Sequence, residues 1–281
     1  MKPHGKRAVR ENDLGNRTIQ DFGEQWTAYQ DNSGFYGSVG LLADVLGPLM
    51  EVGEVAGSRV ADVGAGTGRF VRILITQARA SHVIALEPSA AFSVLQENTE
   101  DLADRVTYLN VAGDQLAANA ELDFVFSYGV LHHIPEPDAV IRRAWLALRP
   151  GGRCIVWLYG REGNGLYLFL LKSLLRVTRR LPHAALVALV WILYGPLYLY
   201  MRLSHYCALP LGGYMREVLA RLTPQKRRLV IYDQLNPSFA KYYTQQEARD
   251  LLAHGGFVDV KLHHRHGYSW TVIGTKPGRA S

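Results

Sequence analysis

Short apolar runs alternate along this chain with stretches whose apolar positions recur every three or four residues. Val60–Val63, His82-Val-Ile-Ala-Leu86, Val106-Thr-Tyr-Leu109, Asp123-Phe-Val-Phe-Ser127 and Arg153-Cys-Ile-Val-Trp-Leu-Tyr159 read as buried strands. Phe70-Val-Arg-Ile-Leu-Ile75 opens a helical pattern, and Val140, Ile141, Ala144, Trp145 and Leu148 carry another. Pro150-Gly-Gly152 stops the second helix. Near the end, Thr244-Gln-Gln-Glu247 is a capping box for a helix through Leu252, closed by His254-Gly-Gly256. Phe257–Leu262 and Tyr268–Ile273 alternate as strands, with His263–Gly267 turning the chain between them. Strands alternating with helices predict an α/β fold: parallel βαβ units, right-handed crossovers and a doubly wound sheet.

Residues 161–230 break that rhythm. Leu166–Leu175 is strongly apolar, and Lys172, Arg176, Arg179 and Arg180 share one helical face. Leu181–Met201 carries no formal charge and is long enough to span a bilayer. Its internal Gly195-Pro196 predicts a kink. At the other end, residues 1–20 are polar, basic and expected to be mobile. Residues 21–52 read as a helical cap bearing Trp26 and Tyr29.

Composition narrows the class. With 281 residues, 48% hydrophobic and 20% charged, the chain suits one large or two small globular domains. Cys154 and Cys207 offer neither a disulfide framework nor metal-ligand spacing, so a reduced, cytoplasmic setting is expected. The basic start has no apolar run behind it, which predicts no signal peptide. A net charge of +6 suits nucleic acid or anionic lipid. The basic residues lie among long apolar runs instead of a polar groove, so nucleic acid is not an expected partner and an anionic membrane surface is. His263-His-Arg-His266 lacks a carboxylate partner, and no metal is expected there.

The chemistry starts at Asp62-Val-Gly-Ala-Gly-Thr-Gly68. Gly64, Gly66 and Gly68 between a strand and a helix let the backbone turn tightly and approach a ligand. Glu87 lies 19 positions after Gly68, at the end of the next strand, where an acid can accept from both ribose hydroxyls of a nucleoside. Asp114 follows the third strand and can accept from an adenine amino group. A nicotinamide enzyme uses G-x-G-x-x-G; here the third glycine comes one position early. Asp62 beside the loop would repel a pyrophosphate and attract an ammonium or sulfonium.

Those residues together resemble a class I S-adenosylmethionine-dependent methyltransferase. The loop at 62–68 is similar to the family's cofactor loop, Glu87 to its ribose acid and Asp114 to its adenine-side acid. Tyr128-Gly-Val-Leu-His-His-Ile-Pro135 resembles the segment after strand four in the broad small-molecule branch. The resemblance covers about residues 55–160 and 240–276. It implies a seven-stranded, mostly parallel Rossmann-like sheet with the last strand antiparallel, and an α-helical insertion between strands five and six. The core is then 53–160 and 231–276, and the insert 161–230. It also implies S-adenosyl-L-methionine held by Asp62, Gly64, Ala65, Gly66, Gly68, Glu87, Pro88, Asp114, Ser127 and Tyr128.

A hydroxyl acceptor needs a base, and His133 or His132 after strand four can serve. Trp26, Tyr29, Tyr159, Tyr242, His264 and Tyr268 are expected around the acceptor. The apolar insert beside the site predicts a hydrophobic or lipid-linked acceptor: quinone, lipid, or sugar hydroxyl. The insert is either a lid or a patch lying on the inner face of the membrane. A lone span is excluded, because strands five and six could not then share one sheet. A cofactor-binding protein without transfer, and a nicotinamide oxidoreductase, are the alternatives; oligomeric state is open.

Overall fold

The computed structural model describes residues 4–178, 183–236 and 238–278, with side chains from Asp13 onward apart from a few positions in the insert's first two helices. Helix α1 (His4–Ala28) and helix α2 (Val39–Leu46) precede the sheet. The core then runs β1 (Arg59–Val63), α3 (Arg69–Thr76), β2 (His82–Leu86), α4 (Ala91–Asn98), β3 (Val106–Leu109), β4 (Leu122–Tyr128), α5 (Asp138–Ala147) and β5 (Leu148–Tyr159). The insert supplies α6 (Gly165–Thr178), α7 (His183–Leu203), α8 (Gly212–Glu217) and α9 (Pro224–Leu235). Helix α10 (Gln245–Ala253), β6 (Val258–Arg265) and β7 (Ser269–Thr275) complete the sheet.

Strand order is β3-β2-β1-β4-β5-β7-β6. Every pairing is parallel except those of β7 with β5 and β6. The expected strands all form; the central ones, such as β1, β4 and β7, are buried on both faces, while the edge strands β3 and β6 are partly exposed. α2, α3 and α4 pack one face through Leu42, Leu46, Ile73, Leu74 and Leu95. α5 and α10 pack the other through Ile141, Ala144, Ala248 and Leu252. The capping box forms as read: the Thr244 hydroxyl accepts from the Glu247 amide at 3.2 Å, and Glu247 accepts from the Thr244 amide at 2.9 Å.

Two expected boundaries fall inside helices. Residues 4–28 form one helix, so the domain edge expected at residue 20 falls inside α1. Its amphipathic spacing lets Ile19, Phe22 and Trp26 turn to one side. The insert boundary at 230 falls inside α9, whose cap is Thr223 and whose first residue is Pro224. Helix α7 runs on through Gly195-Pro196. Of the basic stripe, Arg179 and Arg180 lie outside the described residues, as do the side chains of Lys172 and Arg176.

The insert leaves and rejoins the core at one place. The Tyr243 amide donates to the Tyr159 carbonyl at 2.9 Å, and the Arg161 amide to the Tyr243 carbonyl at 2.8 Å. Between these points, α6, α7 and α9 bury Leu171, Leu186, Val190, Tyr232 and Leu235 in a small core of their own.

Candidate active site

The order in which strands are added reverses between the parallel neighbours β1 and β4, and ligands of such sheets sit outside the strands' carboxyl ends there. A cavity of about 780 Å³ occupies that place. Its floor is the glycine loop and the ends of β1, β2 and β4; its roof is α1 and the insert.

The floor is shaped by backbone. Gly64 has φ +76°, and a Cβ there would run into the Val130 side chain. Gly66 has φ +56°, and a Cβ there would come within 3.7 Å of the Trp26 indole nitrogen. Glu87 fixes the loop: its carboxylate accepts from the Gly66 amide at 2.8 Å and from the Ser89 amide at 2.9 Å. Oε1 also accepts from the Ser89 hydroxyl at 2.5 Å, so Oε2 is the oxygen with room for a further donor.

Two opposite charges face this floor. Asp62 is 2% exposed, and its Oδ2 has no hydrogen-bond partner among the described residues. Burial pushes its carboxyl up to about 7. The Arg69 guanidinium lies 3.9 Å from the Tyr36 ring centroid and 5.0 Å from that of Tyr128. It has no carboxylate within ion-pair distance among the described residues. An unpartnered carboxylate beside a guanidinium without an acid suits a zwitterionic amino-acid group, such as the methionyl end of S-adenosylmethionine. The residues therefore fit the cofactor.

The structure brings Asp62, Gly64, Ala65, Gly66, Glu87, Pro88, Asp114 and Tyr128 to the cavity wall. Gly68 and Ser127 are not on it: Gly68 backs onto Leu95 and Thr99, and Ser127 is buried within β4 with its hydroxyl unbonded.

The two histidines divide. They sit in a 3-10 turn, Leu131–His133, where successive side chains point about 120° apart. His133 faces the cavity; its Nδ1 lies 2.8 Å from the Phe239 carbonyl, which makes Nδ1 the protonated nitrogen and leaves Nε2 a free lone pair. His132 faces away, its ring centroid 3.8 Å from Tyr159 and 5.7 Å from Trp157, with neither ring nitrogen hydrogen-bonded. His133, and not His132, is therefore the histidine on the cavity wall. Burial holds both imidazoles below the ordinary histidine range, His132 well below.

Among the expected acceptor residues, Trp26, Tyr159, Tyr242 and Tyr268 line the cavity. Tyr29 instead packs on Tyr232, 5.9 Å between ring centroids, outside it. His264 stacks on Trp270 at 4.1 Å, away from it. The reason is strand alternation: His263 and His264 belong to β6, not to the turn, and it is Arg265 that reaches the cavity. Among the described residues no group of three metal-ligating side chains comes together.

Sequence reading missed the polar roof. Asp233 and Gln234, neighbours on α9, face the cavity. Asp233 accepts from Gln25 on α1 and from the Tyr159 hydroxyl, both at 2.8 Å. Gln234 donates to Tyr159 at 2.8 Å and accepts from Tyr167 at 2.6 Å and Tyr242 at 2.9 Å. The signal available was the polar pair Asp233-Gln234 closing an apolar stretch. Arg265 was missed too. It is 1% exposed, donates from Nε to Asp44 at 3.0 Å and from Nη1 to the Tyr268 hydroxyl at 2.6 Å. Removing one partner of such a buried pair costs about 3–5 kcal/mol. Arg265→Met should therefore lower the melting temperature sharply, while Arg265→Lys recovers only part; thermal unfolding of both measures it.

Residues 61–154 match the model of a family described as a methyltransferase domain. The core is a class I S-adenosylmethionine-dependent methyltransferase domain. A ubiquinone biosynthesis O-methyltransferase of Aromatoleum aromaticum is 27% identical over 131 residues, 46% of this chain and 55% of that protein. The phosphoethanolamine N-methyltransferase 2 of Caenorhabditis elegans is 29% identical over 109 residues, 37% of this chain and 24% of that one. This chain thus spans about half or less of the curated relatives it matches. In fold, an O-methyltransferase family protein from Burkholderia thailandensis superposes with TM-score 0.51 at 15% identity, over 86% of this chain and 57% of its own. The matched stretch holds β1 to β4, the start of β5 and the glycine loop; the insert, β6 and β7 lie outside it.

Proposed function

We propose that this protein moves a methyl group from S-adenosylmethionine to a hydroxyl of a small, largely apolar acceptor, with His133 as the base. The cavity carries this reading. Beyond the cofactor wall its lining turns aliphatic and aromatic, with Leu171, Leu174, Leu193, Leu197, Leu211 and Leu229 all from the insert. Single-ligand sites start at roughly 300 Å³, so about 780 Å³ leaves room for an acceptor beside the cofactor.

The cofactor supplies an activated methyl group on a sulfonium. Asp62 and Arg69 would hold its ammonium and carboxylate, Glu87 its ribose hydroxyls, and Asp114 its adenine amino group. The chain's remaining tasks are alignment and proton removal. The aliphatic walls exclude water from the acceptor. His133 Nε2 would take the acceptor's hydroxyl proton, leaving an oxygen nucleophile for the methyl group the cofactor would supply. Tyr159 and Tyr242, tied to Asp233 and Gln234, orient the acceptor's polar end.

The O-methyltransferase relative supports hydroxyl chemistry on a quinone-type compound, while the N-methyltransferase relative shows that likeness at this level spans several acceptors. The unpartnered Asp62 sets a nicotinamide enzyme aside, since it would face a pyrophosphate. Incubation with cofactor labelled on the methyl group and with long-tailed phenols or a bacterial lipid extract tests the proposal. Label should enter an ether oxygen of an apolar product. Label appearing only in a polar amine product would refute it.

A further inference from the structure

We infer that the outer face of α7 lies on an anionic membrane and that the acceptor enters the cavity from that bilayer; the second half rests on the function proposed above. The first observation is where apolar side chains meet solvent. Phe169, Trp191, Ile192, Tyr198, Leu199, Leu203 and Tyr206 are 44–80% exposed, and all lie in the insert. On α7 the spacing from Ile192 to Leu199, Leu203 and Tyr206 is seven, four and three, which is one helical face continued into the residues just after the helix. A soluble helix would carry polar residues there.

The opposite face of the same helix is inside. Leu186, Val190 and Met201 are buried, and Leu193 and Leu197 line the cavity. One helix thickness therefore separates solvent from the acceptor space.

Charge says what covers the outer face. Residues 163–216 contain no Asp or Glu and six Lys or Arg. Arg228 stacks 4.0 Å from the Trp191 ring centroid, Arg227 approaches Tyr198 at 5.9 Å, and exposed Arg202 closes α7. Aromatics and apolar side chains flanked by guanidinium groups match the headgroup boundary of an anionic leaflet. A second copy of this chain would set one basic patch against another, which disfavours self-association through it.

Crossing is a poor alternative. α7 is the one described helix long and apolar enough to span a bilayer, but the insert starts and ends beside the paired Gly160 and Tyr243. One crossing needs a return, and α6, with 14 residues, is short for it. α7 then lies in the interface plane.

Flotation of the full chain with vesicles tests this. With phosphatidylcholine–phosphatidylglycerol vesicles the protein should rise with the lipid. It should partition at least about tenfold less into phosphatidylcholine alone or at high salt. Ile192→Ser/Leu199→Ser and Arg202→Glu/Arg228→Glu should each weaken partitioning about tenfold or more, at unchanged melting temperature and cofactor affinity. These side chains are outside the cavity wall. Wild-type protein that stays with the aqueous fraction overturns the inference, as does a dimer in light scattering that the same substitutions convert to monomer. Calorimetry with S-adenosylmethionine on the same preparation keeps the two readings apart. Flotation without cofactor binding sinks the enzyme reading alone; cofactor binding without flotation sinks the membrane face alone.

Discussion

Asp62→Asn should weaken S-adenosylmethionine about 100-fold while making the cofactor-free protein more stable near neutral pH. The two effects share one cause. Asp62 is 2% exposed with an unbonded Oδ2, and its carboxyl sits at about 7 against an ordinary 3.8. The folded state thus keeps a proton that the unfolded chain gives up above about pH 4. Stability then falls as pH climbs from there through about 7. Each pK unit is worth about 1.4 kcal/mol, so the buried acid costs on the order of 4 kcal/mol above neutrality. Asparagine carries no such cost, and the variant's melting temperature should exceed wild type at pH 8 and match it near pH 4. In the complex the ionised acid meets an ammonium, and losing that charge-assisted bond costs about 3 kcal/mol, or about 100-fold. Wild-type affinity should also drop below pH 7, where Asp62 must lose its proton to bind; the variant should lack that dependence. Calorimetric titration at several pH values reads both. Equal affinity for wild type and variant would remove Asp62 from the cofactor site.

His133→Gln should lower kcat by about 10²–10⁴-fold with little change in cofactor affinity. The imidazole is poised by its surroundings: Nδ1–H donates to the Phe239 carbonyl at 2.8 Å, leaving Nε2 to receive a proton. Burial holds His133 below 6.5, so it stays a neutral base through the physiological range. The rate should therefore be flat above pH 7 and fall only as pH drops through the depressed value. The same depression has a cost in stability. Buried neutral His132 and His133 stabilise the fold fully above about 6.5 and lose that contribution as pH falls through their lowered values. His132→Gln serves as the control. It should disturb packing against Tyr159 and Trp157, shifting the melting temperature more than the pH profile. A pH profile unchanged in His133→Gln would show that His133 does not carry the proton.

The roof couples cofactor and acceptor ends of the cavity. Gln25 on α1 and Tyr159 at the end of β5 meet on one carboxylate, Asp233 of the insert. α1 also donates Trp26 over the glycine loop. The Gln25–Asp233 bond is a polar tie between α1 and α9, and Asp21 adds a second from α1 by accepting from the Ser238 amide at 2.8 Å.

The sheet, its strand directions and most of the loop and acids on the cavity floor were legible in the sequence. Seven apolar runs at their expected places, Gly64 and Gly66 in their turn, and Asp62, Glu87 and Asp114 at successive strand ends are all local signals. They are local because a strand's burial and a tight turn's φ are set by a handful of neighbouring residues. The tertiary structure alone decided which side chains face the cavity. His132 and His133 are adjacent in sequence, and the turn sends one to the cavity and the other to the core. His264 and Arg265 are adjacent too, and strand alternation exchanges the residue that was expected for the one that arrives. Asp233, Gln25 and Tyr159 lie far apart along the chain, and Asp44 and Arg265 are equally distant; no window of sequence contains either contact. A one-residue rotation costs nothing in periodicity and everything in function, so facing is fixed only when helices and strands pack against one another.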